Sequence, residues 1–245
     1  MERKQSWYNV LLVICVVLLI NSIPFALFIK DLLLLSILEI SKRVAALVTF
    51  VILSKKEKLD KPKIEKIGKK TFLFIPFIIA FVSNFIVCWI NKEIMFEQIN
   101  YTNIIIGFIN MLLVALVEEL LFRHLLLNEF SKNNTSKFLP ILYSSLIFGG
   151  IHLLNISSLG DIPYCLLQSV YTFFLGLLFA YSYTRLKNIF VPITMHFLFN
   201  FLNDVLVVEL YNINYNLNFF IVNITVGLLL CVYGVILYKK VLKED

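Results

Sequence analysis

Three short stretches carry side chains that could do chemistry. VALVEELLFRHLL (114–126) holds Glu118, Glu119, Arg123 and His124. FGGIH (148–152) ends on His152, and HFLFNFLND (196–204) places His196, Asn200 and Asp204 four residues apart. Each stretch is otherwise apolar. A charge at the centre of a bilayer costs about 2.5–3.5 kcal/mol on insertion scales, so these residues need partners or a purpose. On a helix Glu119 and Arg123 share a face, and each makes burial of the other tolerable. Glu118 is turned about 100° away and cannot use Arg123 equally well. It is the carboxylate left available as a general base. His196, Asn200 and Asp204 fall on one helical face. Polar groups on three separate apolar segments are least costly if they converge, and convergence builds a polar site inside a bundle.

The residue types set what such a site can do. Glu118 and His152 can hold and deprotonate a water, while His196 and Asn200, one turn apart, can donate hydrogen bonds to a developing oxyanion. That is a peptidase or amidase arrangement without an acyl-enzyme. Ser144 and Ser145 lie nearby, but no G-x-S-x-G elbow marks a nucleophile. A second arrangement puts zinc among Glu118, His152 and His196 with water as fourth ligand, three N/O ligands and an open position being normal for catalytic zinc. No H-E-x-x-H is present. The sequence leaves both forms of water activation open, and no cofactor is otherwise required.

The elements that position these residues follow from composition. The chain has 245 residues, 60% of them hydrophobic, and a mean hydropathy of +0.86, well above a soluble domain. An all-α, polytopic transmembrane bundle is expected, a single domain over 1–245 with its motif-bearing core at about 103–205. Runs of about 20 apolar residues place eight spans near 8–29, 32–53, 71–91, 103–127, 138–155, 163–184, 189–208 and 218–238. MERKQSW resembles a signal-peptide n-region, but the apolar run after it is too long for an h-region, which predicts a retained span. The cysteines Cys15, Cys88, Cys165 and Cys231 are dispersed in apolar runs and read as structural thiols.

The formal charge of +6 is distributed by side. Residues 54–70 hold eight lysines against three acids, and the loops on that side of the membrane, with both termini, carry 17 of the 22 Lys and Arg. This predicts cytoplasmic termini, with the lipid headgroups as the partner of the basic loop and no role for nucleic acid. In the second span Glu39 and Arg43 are spaced to pair, as a structural ion pair or as a gate on substrate access. Gly149 and Gly150 predict a close approach to their helix, since glycine there costs on the order of 0.8–1 kcal/mol against alanine.

At these residues the chain resembles the CPBP family, the type II CAAX prenyl proteases and bacteriocin-processing or immunity (Abi) proteins. The family pattern Glu-Glu-x-x-x-Arg, Phe-x-x-x-His and His-x-x-x-Asn stands here, in order and in separate spans, as EELLFR (118–123), FGGIH (148–152) and HFLFN (196–200). The resemblance implies an intramembrane endopeptidase acting on a membrane-associated peptide or protein. It implies that Glu118 and His152 activate water, that His196 and Asn200 form the oxyanion site, and that Glu119, Arg123 and Phe148 orient the others. It further implies a multi-pass plasma-membrane protein of the bacterial branch, in peptide maturation or bacteriocin immunity. The family usually has glycine after the motif arginine; this chain has His124, which bears on substrate class more than on catalysis.

Two rival readings use the same residues. A non-catalytic immunity or regulatory protein would keep the site for structure alone. A small transporter would use the carboxylates for proton coupling, but no broken-helix pair or repeat supports it. A geometric difficulty also arises. With the fourth span ending at 127 and the fifth starting at 138, Glu118 and His152 differ in depth by more than about 10 Å at 1.5 Å per residue. A tilt or early start of the fifth helix near Pro140 is needed to bring them level.

Overall fold

The computed structural model describes residues 2–25, 28–66, 77–91, 99–133, 135–155, 162–211 and 217–243. They form helices α1 (Glu2–Asn21), α2 (Leu32–Lys56), α3 (Ile78–Phe81), α4 (Ser83–Ile90), α5 (Tyr101–Glu119), α6 (Asn128–Asn133), α7 (Phe138–Ile151), α8 (Ile162–Leu186), α9 (Phe190–Asn200), α10 (Val207–Leu210) and α11 (Leu217–Lys243). Two π-helical segments, Leu120–Leu127 and Phe201–Leu206, join α5 to α6 and α9 to α10 without a break, and a 3-10 turn, His152–Asn155, ends α7. No strand occurs among the described residues; Ile64 and Asn188 make an isolated antiparallel bridge.

Four helical stretches are long and apolar enough to cross a membrane: Tyr101–Lys132, Phe138–Asn155, Ile162–Leu186 and Phe190–Leu210. Three of them carry the polar motifs. Two shorter apolar helices, Trp7–Asn21 and Ile221–Leu230, flank them. The side chains that face outward are apolar, as on Ile105, Phe108 and Ile109 of α5 and Leu228, Leu229 and Val232 of α11. Such a surface suits lipid and not water.

The expected first span, 8–29, is shorter in the structure: α1 ends at Asn21 and the chain turns through Ser22 to Phe25. Pro24 lacks an N–H and disfavours helix at the residue before it. The third expected span, 71–91, lies outside the described residues over 71–76, and its remainder is broken at Val82. Asn203 explains the break. Its amide nitrogen donates to the carbonyls of Ala80 and Phe81, both at 3.1 Å, and its carbonyl accepts from the Asn84 N–H at 3.1 Å. Backbone groups freed in an apolar setting must find such partners.

The fourth stretch runs on past residue 127 to Asn133, and this removes the depth difficulty. Glu118 lies 15 residues before Asn133, and His152 lies 14 residues after Phe138. Counted from the turn that joins the two stretches they are level. Pro140 occupies the first turn of α7, where a missing N–H costs nothing, and need not bend the helix.

Gly149 does bring a neighbour close. A Cβ there would stand 2.8 Å from both the Cβ of Phe173 and the carbonyl oxygen of Ser169, and the Ser169 hydroxyl donates to the Gly149 carbonyl at 2.9 Å. Gly176 faces back onto Phe148 and Ser145 in the same crossing of α7 and α8. Gly150, in contrast, has nothing within 4 Å of its Cβ position. Gly149→Ala is therefore expected to destabilise by about 1–3 kcal/mol through overpacking, while Gly150→Ala is neutral or gains up to about 1 kcal/mol of helix propensity. Thermal midpoints of the detergent-solubilised variants test this. A Gly149→Ala midpoint equal to wild type would contradict the close crossing.

Candidate active site

The two carboxylates of α5 part company as the helix period requires. Glu119 turns into the core, where it is fully buried, and Glu118 turns toward a cavity of about 670 Å3. The Arg123 Nε stands 2.9 Å from Glu119 Oε2, and both side chains are 0% exposed. The guanidinium carbon lies 4.4 Å from the ring centroid of Phe148, with the rings of Phe122 and Phe179 at 5.9 and 5.7 Å. The terminal nitrogens of Arg123 make no hydrogen bond. Aromatic faces take the place of further acceptors, an attraction that strengthens when the cation is desolvated.

The second oxygen of Glu119 reaches another helix. His196 Nδ1 lies 2.9 Å from Glu119 Oε1, so the carboxylate fixes the imidazole of α9 as well as the guanidinium beside it. Phe179 stacks on the His196 ring at 5.3 Å and Phe148 meets it edge-on at 5.7 Å. His196 Nε2 is then held 3.8 Å from Glu118 Oε2, an oxygen that has no hydrogen-bond partner. Sequence spacing assigned Glu119 to Arg123 alone. The contact to His196 spans 77 residues and leaves no trace in helical periodicity.

His152 stands where α7 tightens into its 3-10 turn. Its Nδ1 is 2.9 Å from the Phe148 carbonyl, which can only accept, so Nδ1 carries the proton and Nε2 of the neutral ring is an acceptor. Asn155 in the same turn donates to Gln168 of α8 at 2.9 Å. Glu118, Phe148, His152, His196, Asn200 and Asp204 all line the one cavity. So do Glu39, Lys42 and Arg43 from α2. The expected Glu39–Arg43 pair forms, and Lys42 joins it, its Nζ 2.9 Å from Glu39 Oε1 and 3.0 Å from the Ile23 carbonyl.

Other polar residues of the motifs have structural work. Ser144 donates to the Phe122 carbonyl in the π segment at 2.9 Å, and Ser145 to Ile141 at 2.7 Å. His124 does not line the cavity. It is buried, its ring edge-on to Phe50 of α2 at 6.3 Å and hydrogen-bonded to the backbone of Asp60. The basic loop it meets is itself fastened, Ile189 N–H donating to Lys63 and Glu65 N–H to Lys187, each at 2.9 Å.

For zinc, the donor set is the test. Glu118 and His196 come together and His152 shares their cavity, but among the described residues no three His, Cys, Asp or Glu side chains are grouped so as to hold a metal ion. The residues as placed do not fit a zinc site.

Residues 100–202 match the family described as type II CAAX prenyl endopeptidase Rce1-like. The match begins at the α5 cap, where Asn100 accepts from the N–H groups of Thr102 and Asn103, and ends two residues beyond Asn200. No curated protein and no solved structure matches the chain.

Removing one partner of a buried ion pair costs roughly 3–5 kcal/mol. Arg123→Leu is expected to lower the thermal midpoint sharply, and Glu119→Gln combined with Arg123→Leu to recover part of the loss. A double variant whose loss equals the sum of the two single losses would show that the pair is not coupled.

Proposed function

We propose that this membrane protein is an endopeptidase of the CPBP type that cleaves a membrane-associated peptide or protein by water activation, a reading supported by the match of residues 100–202 to the type II CAAX prenyl endopeptidase family. The observation that carries the reading is the arrival of Glu118, His152, His196 and Asn200, from three helices, at the wall of one cavity. Glu118 is the general base: its side chain lines the cavity, and its Oε2 is buried without a hydrogen-bond partner, 3.8 Å from His196 Nε2. His152, with Nδ1 committed to the Phe148 carbonyl, offers Nε2 as the second acceptor for the same water. His196 and Asn200 donate to the oxyanion as the carbonyl becomes tetrahedral.

The His196 geometry adds a requirement. Nδ1 faces a carboxylate oxygen, so a hydrogen bond donated by Nε2 as well needs both ring nitrogens protonated. In that form Glu118, Glu119, Arg123 and His196 sum to zero charge, the least costly state for a cluster in an apolar bundle. Glu119 and Arg123 thus act as positioning residues for an imidazolium. The apolar runs of the sequence support about eight spans, and the distribution of Lys and Arg supports cytoplasmic termini. The motif resemblance supports a plasma-membrane setting in peptide maturation or bacteriocin immunity.

General base catalysis contributes about 10²–10⁴-fold and an oxyanion donor about 10²–10³-fold. Glu118→Gln and His152→Ala are each expected to lose at least about 10²-fold in cleavage of a peptide substrate while accumulating normally in membranes. Asn200→Ala should lower kcat more than it raises KM. Undiminished cleavage by Glu118→Gln would end the proposal. Because no zinc-like donor group is assembled, activity of the purified protein is expected to withstand a chelator; loss on chelation with recovery on added zinc would overturn the metal-free form.

A further inference from the structure

A second cavity, of about 190 Å3, adjoins the first. Asp204, Tyr171 and Phe199 contribute to its wall, and Asp204 and Tyr171 also line the larger one. Asp204 is therefore a carboxylate at the junction of the two. It is exposed, and it makes no ion pair among the described residues. The cations near it are committed elsewhere: Lys42 and Arg43 to Glu39, and Arg123 to Glu119, while the His196 imidazole, which acts on Asp204 only through its field, is hydrogen-bonded to Glu119. The smaller cavity is lined by the rings of Tyr164, Tyr171, Phe199 and Phe219, with the Asn84 amide among them. The Asn84 carbonyl accepts from Asn223 at 3.1 Å and has a second lone pair to offer.

An unmatched carboxylate beside several aromatic faces is the chemistry of a cation pocket. The carboxylate supplies charge and paired acceptors, and the rings supply their negative faces. A planar guanidinium stacks on such rings and meets a carboxylate with two parallel N–H groups, which an ammonium cannot do. The volume suits one side chain rather than a length of peptide. Position follows from the helix. Asp204 is eight residues beyond His196, about 12 Å along the axis, and an extended peptide advances about 3.3–3.6 Å per residue.

We infer that the smaller cavity is a specificity pocket for a basic side chain of the peptide substrate, arginine above lysine, carried within about three residues of the cleaved bond. Asp204 selects the charge, and the tyrosine and phenylalanine rings select the flat guanidinium. The inference rests on the peptidase reading for its place in a reaction, but binding alone can test it.

The probe is a fluorescein-labelled apolar peptide with a single arginine, compared with the same peptide carrying citrulline, which keeps the shape and removes the charge. The protein is the full chain with Glu118→Gln, in lipid nanodiscs. The arginine peptide is expected to bind at least tenfold more tightly, about 1.4 kcal/mol, and Asp204→Asn to erase the difference. Equal affinity for the two peptides, or a preference that survives Asp204→Asn, overturns the pocket. If Asp204→Asn fails to accumulate, the arginine-to-citrulline ratio with Asp204 intact still decides, and a ratio near one overturns the inference. These measurements need no turnover. Absence of cleavage by the chain with Glu118 intact therefore counts against the peptidase reading alone.

Discussion

Glu119 holds the functional half of the molecule together. One of its oxygens takes Arg123 from its own helix and the other takes His196 from α9. A carboxylate buried without water must have partners of this kind, and here satisfying it also fixes the chemistry. The guanidinium is drawn over Phe148, the imidazole is stacked on Phe179, and Nε2 of His196 is presented to Glu118. Phe148 thus touches both the cation and the imidazole, and its carbonyl orients His152. The aromatic and charged residues of the three motifs form one packed unit, and none of them could be placed without the others.

The same rule, that polar groups in an apolar bundle must be matched, shapes the other side of the cavity. Asn203 supplies the hydrogen bonds that let the third apolar segment break at Val82. A chain of amides then links that break through Asn84 to Asn223 of α11. Serine hydroxyls do similar work on a smaller scale, Ser144 tying α7 to the π segment and Ser169 tying α8 to α7.

Much of this was legible from residue types. Apolar runs located the helices that carry the motifs, and the i, i+4 spacing of Glu119 with Arg123 and of Glu39 with Arg43 foretold two ion pairs. The shared face of His196, Asn200 and Asp204 foretold that all three would line one cavity. What could not be read were contacts between segments distant in sequence. Glu119 to His196, Lys42 to the Ile23 carbonyl and Asn203 to the α3–α4 break depend on how helices pack, and periodicity is silent on that. The boundary at residue 127 was set too early because hydropathy falls at Asn128, whereas the backbone stays helical to Asn133 by continuing its own hydrogen bonds. The motifs gave His124 no place, and its neighbours Phe50 and Asp60 come from a different part of the chain.

The two π-helical segments begin just past the functional residues of their stretches, at Leu120 after Glu118 and Glu119 and at Phe201 after Asn200. A π turn closes its hydrogen bond over one more residue than an α turn. Each segment can therefore lose a residue and remain helical, by reverting to the tighter winding. Such a loss would leave the residues on both sides of the segment close to their present register, because the tighter winding makes up the turn that the missing residue gave. A codon removed from either place would thus fall mainly on the side chains of the segment itself. For Phe201–Leu206 these include Asn203, which holds the broken helix, and Asp204 in the cavity wall, while His196 and Asn200 would stay where they are.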